Sequence, residues 1–313
     1  MAKDKIHKTS IGGQALIEGV MMRGPRELSM AVRKSDGEIV VEKRPVNTAA
    51  AKYKILKTPV LRGVIAFFES MIMGVKSLMF SAEFFDIEDD GEKPSKFDDF
   101  ITRLFGDKLK DFAIYFSVFI ALAFSILLFF MLPAFLSGLL KNVIQSRTLR
   151  VIIEGVVRVA LFVGYIAAVS KMKDIQRVFM YHGAEHKTIH CYEHGCELTV
   201  DNVRGYKRLH PRCGTSFLII VMIISIFVFW FITSENMALR LLYRLLLLPV
   251  IAGISYEIIK IAGRYENAIT RVISAPGMWL QYFTTREPDD SQIEVAITSL
   301  QNVLTENPED DKW

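Results

Sequence analysis

The segment from Phe112 to Leu140, FAIYFSVFIALAFSILLFFMLPAFLSGLL, carries no charged side chain. A helix needs about 20 apolar residues to cross the hydrocarbon core of a bilayer, and a helix that is apolar all round has no solvated face to offer a small soluble fold. The segment therefore predicts a transmembrane helix, bent near its far end by Pro133. The rest of the chain agrees: 51% of the 313 residues are hydrophobic and the mean hydropathy is +0.29, a membrane-like balance.

Three more segments read as spans. Residues 151–170 hold Glu154 and Arg158 four apart, able to pair on one helical face. Residues 217–233 are uniformly apolar. Residues 239–263 carry Arg240 and Arg244 near one end and Glu257 and Lys260 near the other, where long side chains can snorkel. The segment 59–85 is also apolar, but Arg62, Glu69, Lys76 and Glu83 punctuate it, so it reads as an amphipathic interfacial helix followed by an acidic loop to residue 110.

Outside these segments, ELSMAVRKSDGEIVVEKRPV alternates apolar and polar residues around Asp36-Gly37, the pattern of a β-hairpin. Near the other end of the chain, SQIEVAITSLQNVL has helical periodicity after Pro288 and two aspartates. The expected fold is mainly α: a polytopic helical membrane protein with about four transmembrane helices and a small α+β cytoplasmic portion containing the N-terminal hairpin. Its parts are an N-terminal segment 1–58, the interfacial helix and loop 59–110, a membrane domain 111–263 with a His/Cys-rich insertion 171–216, and a tail 264–313.

Charge sets the orientation. Lys and Arg number twelve in residues 1–58 and eight in 171–216, against three in 141–150 and none in 234–239. Basic loops stay on the cytoplasmic side, so both termini and the 171–216 insertion are expected there, in the cell membrane. Three cysteines, at 191, 196 and 213, fit the same reducing compartment better than a secreted disulfide framework.

The insertion contains YHGAEHKTIHCYEHGC, residues 181–196, with histidines at 182, 186, 190 and 194. Residues i and i+4 share a helical face, so His182 and His186 can close on one zinc ion at about 2.0–2.1 Å. With Glu185 they form H-x-x-E-H, the order of the inverzincins, in which two histidines hold the metal and the glutamate polarises water. Glu193 shares the face but lies roughly 10 Å further along a straight helix. The third ligand must come from elsewhere: His210 and Cys213 of HPRC lead, with Glu287, Asp289 and Asp290 of REPDD behind them. A pair of His186 with His190 is a second register. The competing reading is a solvated histidine face meeting lipid headgroups. The cofactor expected is a divalent metal, zinc by its ligand chemistry.

Four blocks together, GGQALIEGVMMRGP, YHGAEHKTIHCYE, HPRCGTSFL and PGMWLQYFTTREPDDSQIEVAI, resemble the YqhQ-like family of bacterial membrane proteins. The resemblance spans nearly the whole chain. It implies membrane location and a predicted metal-dependent enzyme within a domain of unknown function, without a substrate.

Two functions follow as expectations. The first is a metal-dependent hydrolase at the cytoplasmic membrane face, acting on a peptide or lipid, with His182 and His186 on the metal, His210 or Cys213 as third ligand and Glu185 as general base. The second is a non-enzymatic scaffold or biogenesis factor with a structural metal. A transporter is disfavoured because segments 112–140 and 217–233 hold no ionisable residue. The bilayer is the expected partner, with a peptide, lipid or protein beside it. No nucleotide-binding glycine pattern and no basic patch interleaved with aromatics is present, so no nucleic acid is expected.

Overall fold

A computed structural model describes residues 7–46, 54–85, 108–234, 236–265 and 267–313. Most of the expected acidic loop, residues 86–107, lies outside these. Contacts divide the chain into two units, one formed by residues 1–85, 163–228 and 246–313, the other by 86–162 and 229–245.

The first unit opens with a four-stranded antiparallel meander in the order β1-β2-β3-β4: β1 Gly12–Leu16, β2 Gly19–Arg23, β3 Glu27–Arg33 and β4 Ile39–Pro45. β3 and β4 form the hairpin expected from the alternation, with Gly37 at φ 91° in its turn. The preceding hairpin, β1–β2, is an addition to the expected fold. Its strands close around Ile17 and Glu18, with Leu16 paired to Gly19. Every residue from Gly19 to Met22 is buried, so the strand is covered on both faces and shows no polar alternation.

The covering layers are helices. On one face Val20, Met22 and Ala31 join Tyr181, Ala184 and Ile189 of α5 (Lys173–Glu193) and Ile293, Ala296 and Leu300 of α10 (Asp290–Gln301). On the other, Met21, Met30 and Val32 pack around Phe80 of α1 (Leu61–Ala82). Asp289 caps α10 in a capping box with Gln292.

The remaining helices are α2 (Lys108–Ile126), which passes through a π-turn at Leu127–Met131 into α3 (Leu132–Leu139), then α4 (Arg147–Val169), the short α6 (Val200–Arg204), α7 (Gly214–Trp230), α8 (Met237–Arg264) and α9 (Ala268–Thr284). Four described helices are long and apolar enough to cross a membrane: Leu61–Ala82, Phe116–Asn142, Arg147–Val169 and Ala238–Arg264. The number matches the expectation, but one member differs. Segment 59–85, expected at the interface, qualifies because its charges are spread thinly along it. Segment 217–233 falls short because its helix has only 17 residues and stops at Trp230.

The second unit holds a buried ionic cluster between α4 and α8. Glu154 accepts from both Arg158, at 2.6 Å, and Arg244, at 2.5 and 2.7 Å. The guanidinium of Arg158 lies over Phe130 and Phe229. Pro133 has no N–H, so it cannot satisfy the carbonyl four residues back, that of Phe129. Arg158 Nε donates to that carbonyl at 3.0 Å. The proline break and the buried arginine are thus two halves of one arrangement, and Glu154 and Arg158 pair on one face of the helix as their spacing predicts.

Candidate metal centre

Three residues separate α4 from α5, which carries Tyr181, Gly183, Ala184, Glu185 and His186 into the core of the first unit. Two glycines permit this. A β-carbon on Gly183 would collide with the carbonyl of Arg286, so the 284–288 segment can lie directly on the helix. A β-carbon on Gly13 of β1 would meet Met21 O at 2.5 Å and Glu185 Cδ at 2.9 Å. Glu18, at φ 49° in the β1–β2 turn, adds an ion pair to Arg177 and accepts from Tyr181 Oη at 3.1 Å, fastening that hairpin to α5.

His182 and His186 meet edge to face, with ring centroids 4.4 Å apart. Each uses Nδ1 on a backbone carbonyl: His182 on Thr284 O at 2.8 Å and His186 on Arg208 O at 2.6 Å. A carbonyl only accepts, so Nδ1 carries the proton and Nε2 of a neutral ring is left as a bare lone pair. His182 Nε2 lies 3.2 Å from Cys213 Sγ. His186 Nε2 is buried with no hydrogen-bond partner. One ring nitrogen of each histidine and Sγ lie within 4.8 Å of one another.

Burial dominates the electrostatics. It raises the Glu185 carboxyl to about 8, with Cys213 adding to the shift and His182 opposing it, and Glu185 Oε2 has no hydrogen-bond partner. It lowers His186 to about 4. Burial also works against the Cys213 thiolate, but His186 and hydrogen bonds from Thr215 outweigh it and hold the thiol below its ordinary value.

Of the residues singled out from sequence, His182, Glu185, His186 and Cys213 come together. His210 and His190 do not join them; they lie with Glu193 in a second group. His210 is held by Gln281 of α9, which accepts from its N–H and donates to its carbonyl, each at 2.8 Å. His190 Nε2 is spent on Leu209 O at 2.9 Å. Arg212 pairs with the Glu193 carboxylate, which also accepts from Thr9 N at 2.9 Å. A metal there would meet a guanidinium at close range. The acids of REPDD are also committed elsewhere: Glu287 to Lys187, Asp289 to the cap of α10, and Asp290 to Arg204. Exposed His194 turns its Nδ1 to His190 O. The sequence reading missed Gly13, the carbonyls of Arg208 and Thr284, and Gln281. Of these only Gly13, inside a Gly-Gly pair, left a mark in the sequence.

The donor set fits zinc. Two imidazoles oriented by backbone carbonyls and one thiol of lowered pKa are what such a site requires. Ligand atoms at about 2.0–2.3 Å from a tetrahedral zinc lie about 3.4–3.6 Å apart, within reach of the separations here.

Residues 58–306 match the family described as "Protein of unknown function (DUF1385)". The chain is also similar to the "Uncharacterized protein YqhQ" of Bacillus subtilis (strain 168), 35% identical over 309 residues, covering 97% of this chain and 95% of the relative. No solved structure matches.

Proposed function

We propose that this chain, which belongs to the DUF1385 family, is a metal-dependent hydrolase at the cytoplasmic face of the cell membrane, with zinc held by His182, His186 and Cys213. One observation carries the metal reading: His186 Nε2 is a buried nitrogen with no hydrogen-bond partner, beside a second imidazole and the Cys213 thiol that bonds to it. Leaving such an atom unsatisfied costs about 1–3 kcal/mol, and a cation removes that cost. Three protein donors leave a fourth position open, the pattern of catalytic zinc. When bound, zinc would supply Lewis acidity and lower the pKa of a coordinated water to about 7. Glu185 would take up and return the proton, with Gly13 leaving room for its carboxyl.

The membrane reading draws on connectivity. Strands β1–β4, α5 and α10 fold together, so the chain makes an even number of crossings between each pair of them. Between β4 and α5 lie α1, the α2–α3 helix and α4. The two ends of α1 favour leaving it at the interface: Phe80 packs on the sheet and Arg62 pairs with Glu257 near the end of α8. Between α5 and α10, α7 and α8 cross, and α9 lies along the surface. The seventeen residues of α7 rise about 25 Å, close to a thin hydrocarbon core. The basic segments 1–58 and 171–216 then share the cytoplasmic side.

Burial of Glu185, His186 and Cys213 favours a second reading, a structural metal in a membrane scaffold. Metal content of the purified protein, measured by mass spectrometry for wild type, His182→Ala and His186→Ala, tests the site. Wild type should bind about one zinc and both variants should lose it; no metal in wild type, or unchanged content in the variants, refutes the site. Glu185→Gln then separates the readings: retained metal with lost cellular function supports the hydrolase, and retained metal with full function supports the scaffold.

A further inference from the structure

α9 has two faces. Thr270, Gly277, Leu280, Gln281 and Thr284 are buried. The opposite side presents Ile269 and Val272, 71% and 72% exposed, in line with Trp279. An apolar stripe left in the open on a helix that follows an apolar one is the form of an interfacial helix dipping into acyl chains. Along its flank, where α9 meets the end of α8 and residues 209–212, lies a cavity of about 460 Å³, within the range of roughly 300–1,000 Å³ that ligand pockets occupy.

Ala262, Ala275, Met278 and Trp279 give the cavity an apolar wall, and Tyr265 and Tyr282 stand at it as well. Among the described residues, its charged lining is Arg212 and Arg271, with no acid. Arg212 is engaged with Glu193 and lies over Trp313. Arg271 is exposed and makes no ion pair among the described residues. An apolar trough with tyrosines and an uncommitted guanidinium, continuous with a lipid-facing stripe, matches an amphiphile with one negative head. Arginine's planar fork suits a phosphate, and Trp and Tyr are the side chains of the headgroup level.

We propose that this cavity binds one anionic phospholipid, with its phosphate on Arg271 and an acyl chain along Met278 and Trp279. The assignment rests on the interfacial reading of α9 and is independent of the metal.

The test uses the full chain in neutral detergent, titrated with dioleoylphosphatidylglycerol, dioleoylphosphatidylcholine or inorganic phosphate, with bound lipid counted by native mass spectrometry. Wild type should retain one phosphatidylglycerol in preference to phosphatidylcholine. Arg271→Glu should weaken retention roughly tenfold or more, the loss of a charge-assisted contact. Ala275→Trp, which fills the trough and keeps the guanidinium, should weaken it similarly. Both positions are exposed, and both variants should elute and melt like wild type. Equal retention of the two lipids, or unchanged retention in both variants, overturns the proposal. Displacement of the lipid by inorganic phosphate alone also overturns it, in favour of a free-anion site. Recovery of the wild type in the soluble fraction of lysed cells would refute the membrane reading instead.

Discussion

Gly13 on β1 and Glu185 on α5 are in such close contact that a β-carbon on the glycine would stand 2.9 Å from the carboxyl carbon. The glycine thereby fixes where the buried acid lies beside His182 and Cys213. The β1–β2 hairpin is thus a wall of the site, although it holds no ligand.

Gly13→Ala should therefore damage the centre without touching a metal ligand. Because backbone at Met21 also blocks the new methyl, the strand must shift, at a cost of about 1–3 kcal/mol. A lowered melting temperature together with reduced cellular function is expected. A variant that melts and functions like wild type would show that the strand gives way freely.

Ligand choice separates Cys213 from His210. Cys213→Ala should abolish stoichiometric zinc, whereas His210→Ala should keep it within a few-fold, as its ring lies with Glu193 and Arg212. Loss of a supporting group typically costs 10–100-fold in metal affinity, so a drop beyond about 100-fold for His210→Ala would make it a ligand. Competition with a chromogenic chelator reads both.

The metal-free protein should lose stability on the alkaline side. Folded, Glu185 keeps its proton up to about pH 8, against an ordinary 4.5. The folded state thus holds a proton that the unfolded chain releases, and stability falls as pH rises across that window. His186 acts oppositely: lowered to about 4 from 6.5, it contributes stability that is lost as pH falls below 6.5. Above pH 6.5 only the Glu185 effect remains of the two. The lowered Cys213 thiol works the other way as pH rises, so the comparison is made in chelator-treated Cys213→Ala protein, which should melt lower at pH 8 than at pH 6.5, and adding Glu185→Gln should flatten that difference. A melting temperature that climbs over the same interval would contradict the assignment.

In the second unit, Arg158→Met should cost about 3–5 kcal/mol, because it breaks a buried ionic cluster, and it also removes the donor that Nε offers to the carbonyl of Phe129. Pro133→Ala restores an N–H within reach of that carbonyl. The double variant should recover about 1 kcal/mol relative to Arg158→Met, a non-additivity that a double-mutant cycle of thermal melts can read. Strict additivity would uncouple the proline from the arginine.

The sequence alone determined what depends on neighbours along the chain. The uncharged run 112–140 had to be an apolar helix. Asp36-Gly37 between alternating segments had to be a hairpin, and a four-residue spacing put His182 and His186 on one helical face, with His186 and His190 open as a second register. These follow from local geometry and hydropathy, which travel with the segment wherever it folds. What the tertiary structure decided depends on residues far apart. β2 shows no strand pattern because burial on both faces erases the alternation that marks a strand, and β1, opening on two glycines, has too few side chains to show one. His210 and Cys213 were equal candidates by spacing. Gln281, some 70 positions on, grips the backbone of His210 and turns its ring to Glu193, while α9 meets Ser216 at Gly277, just past Cys213. The separate places of these two side chains depend on a helix from the other end of the chain, and on the glycine at which it meets Ser216.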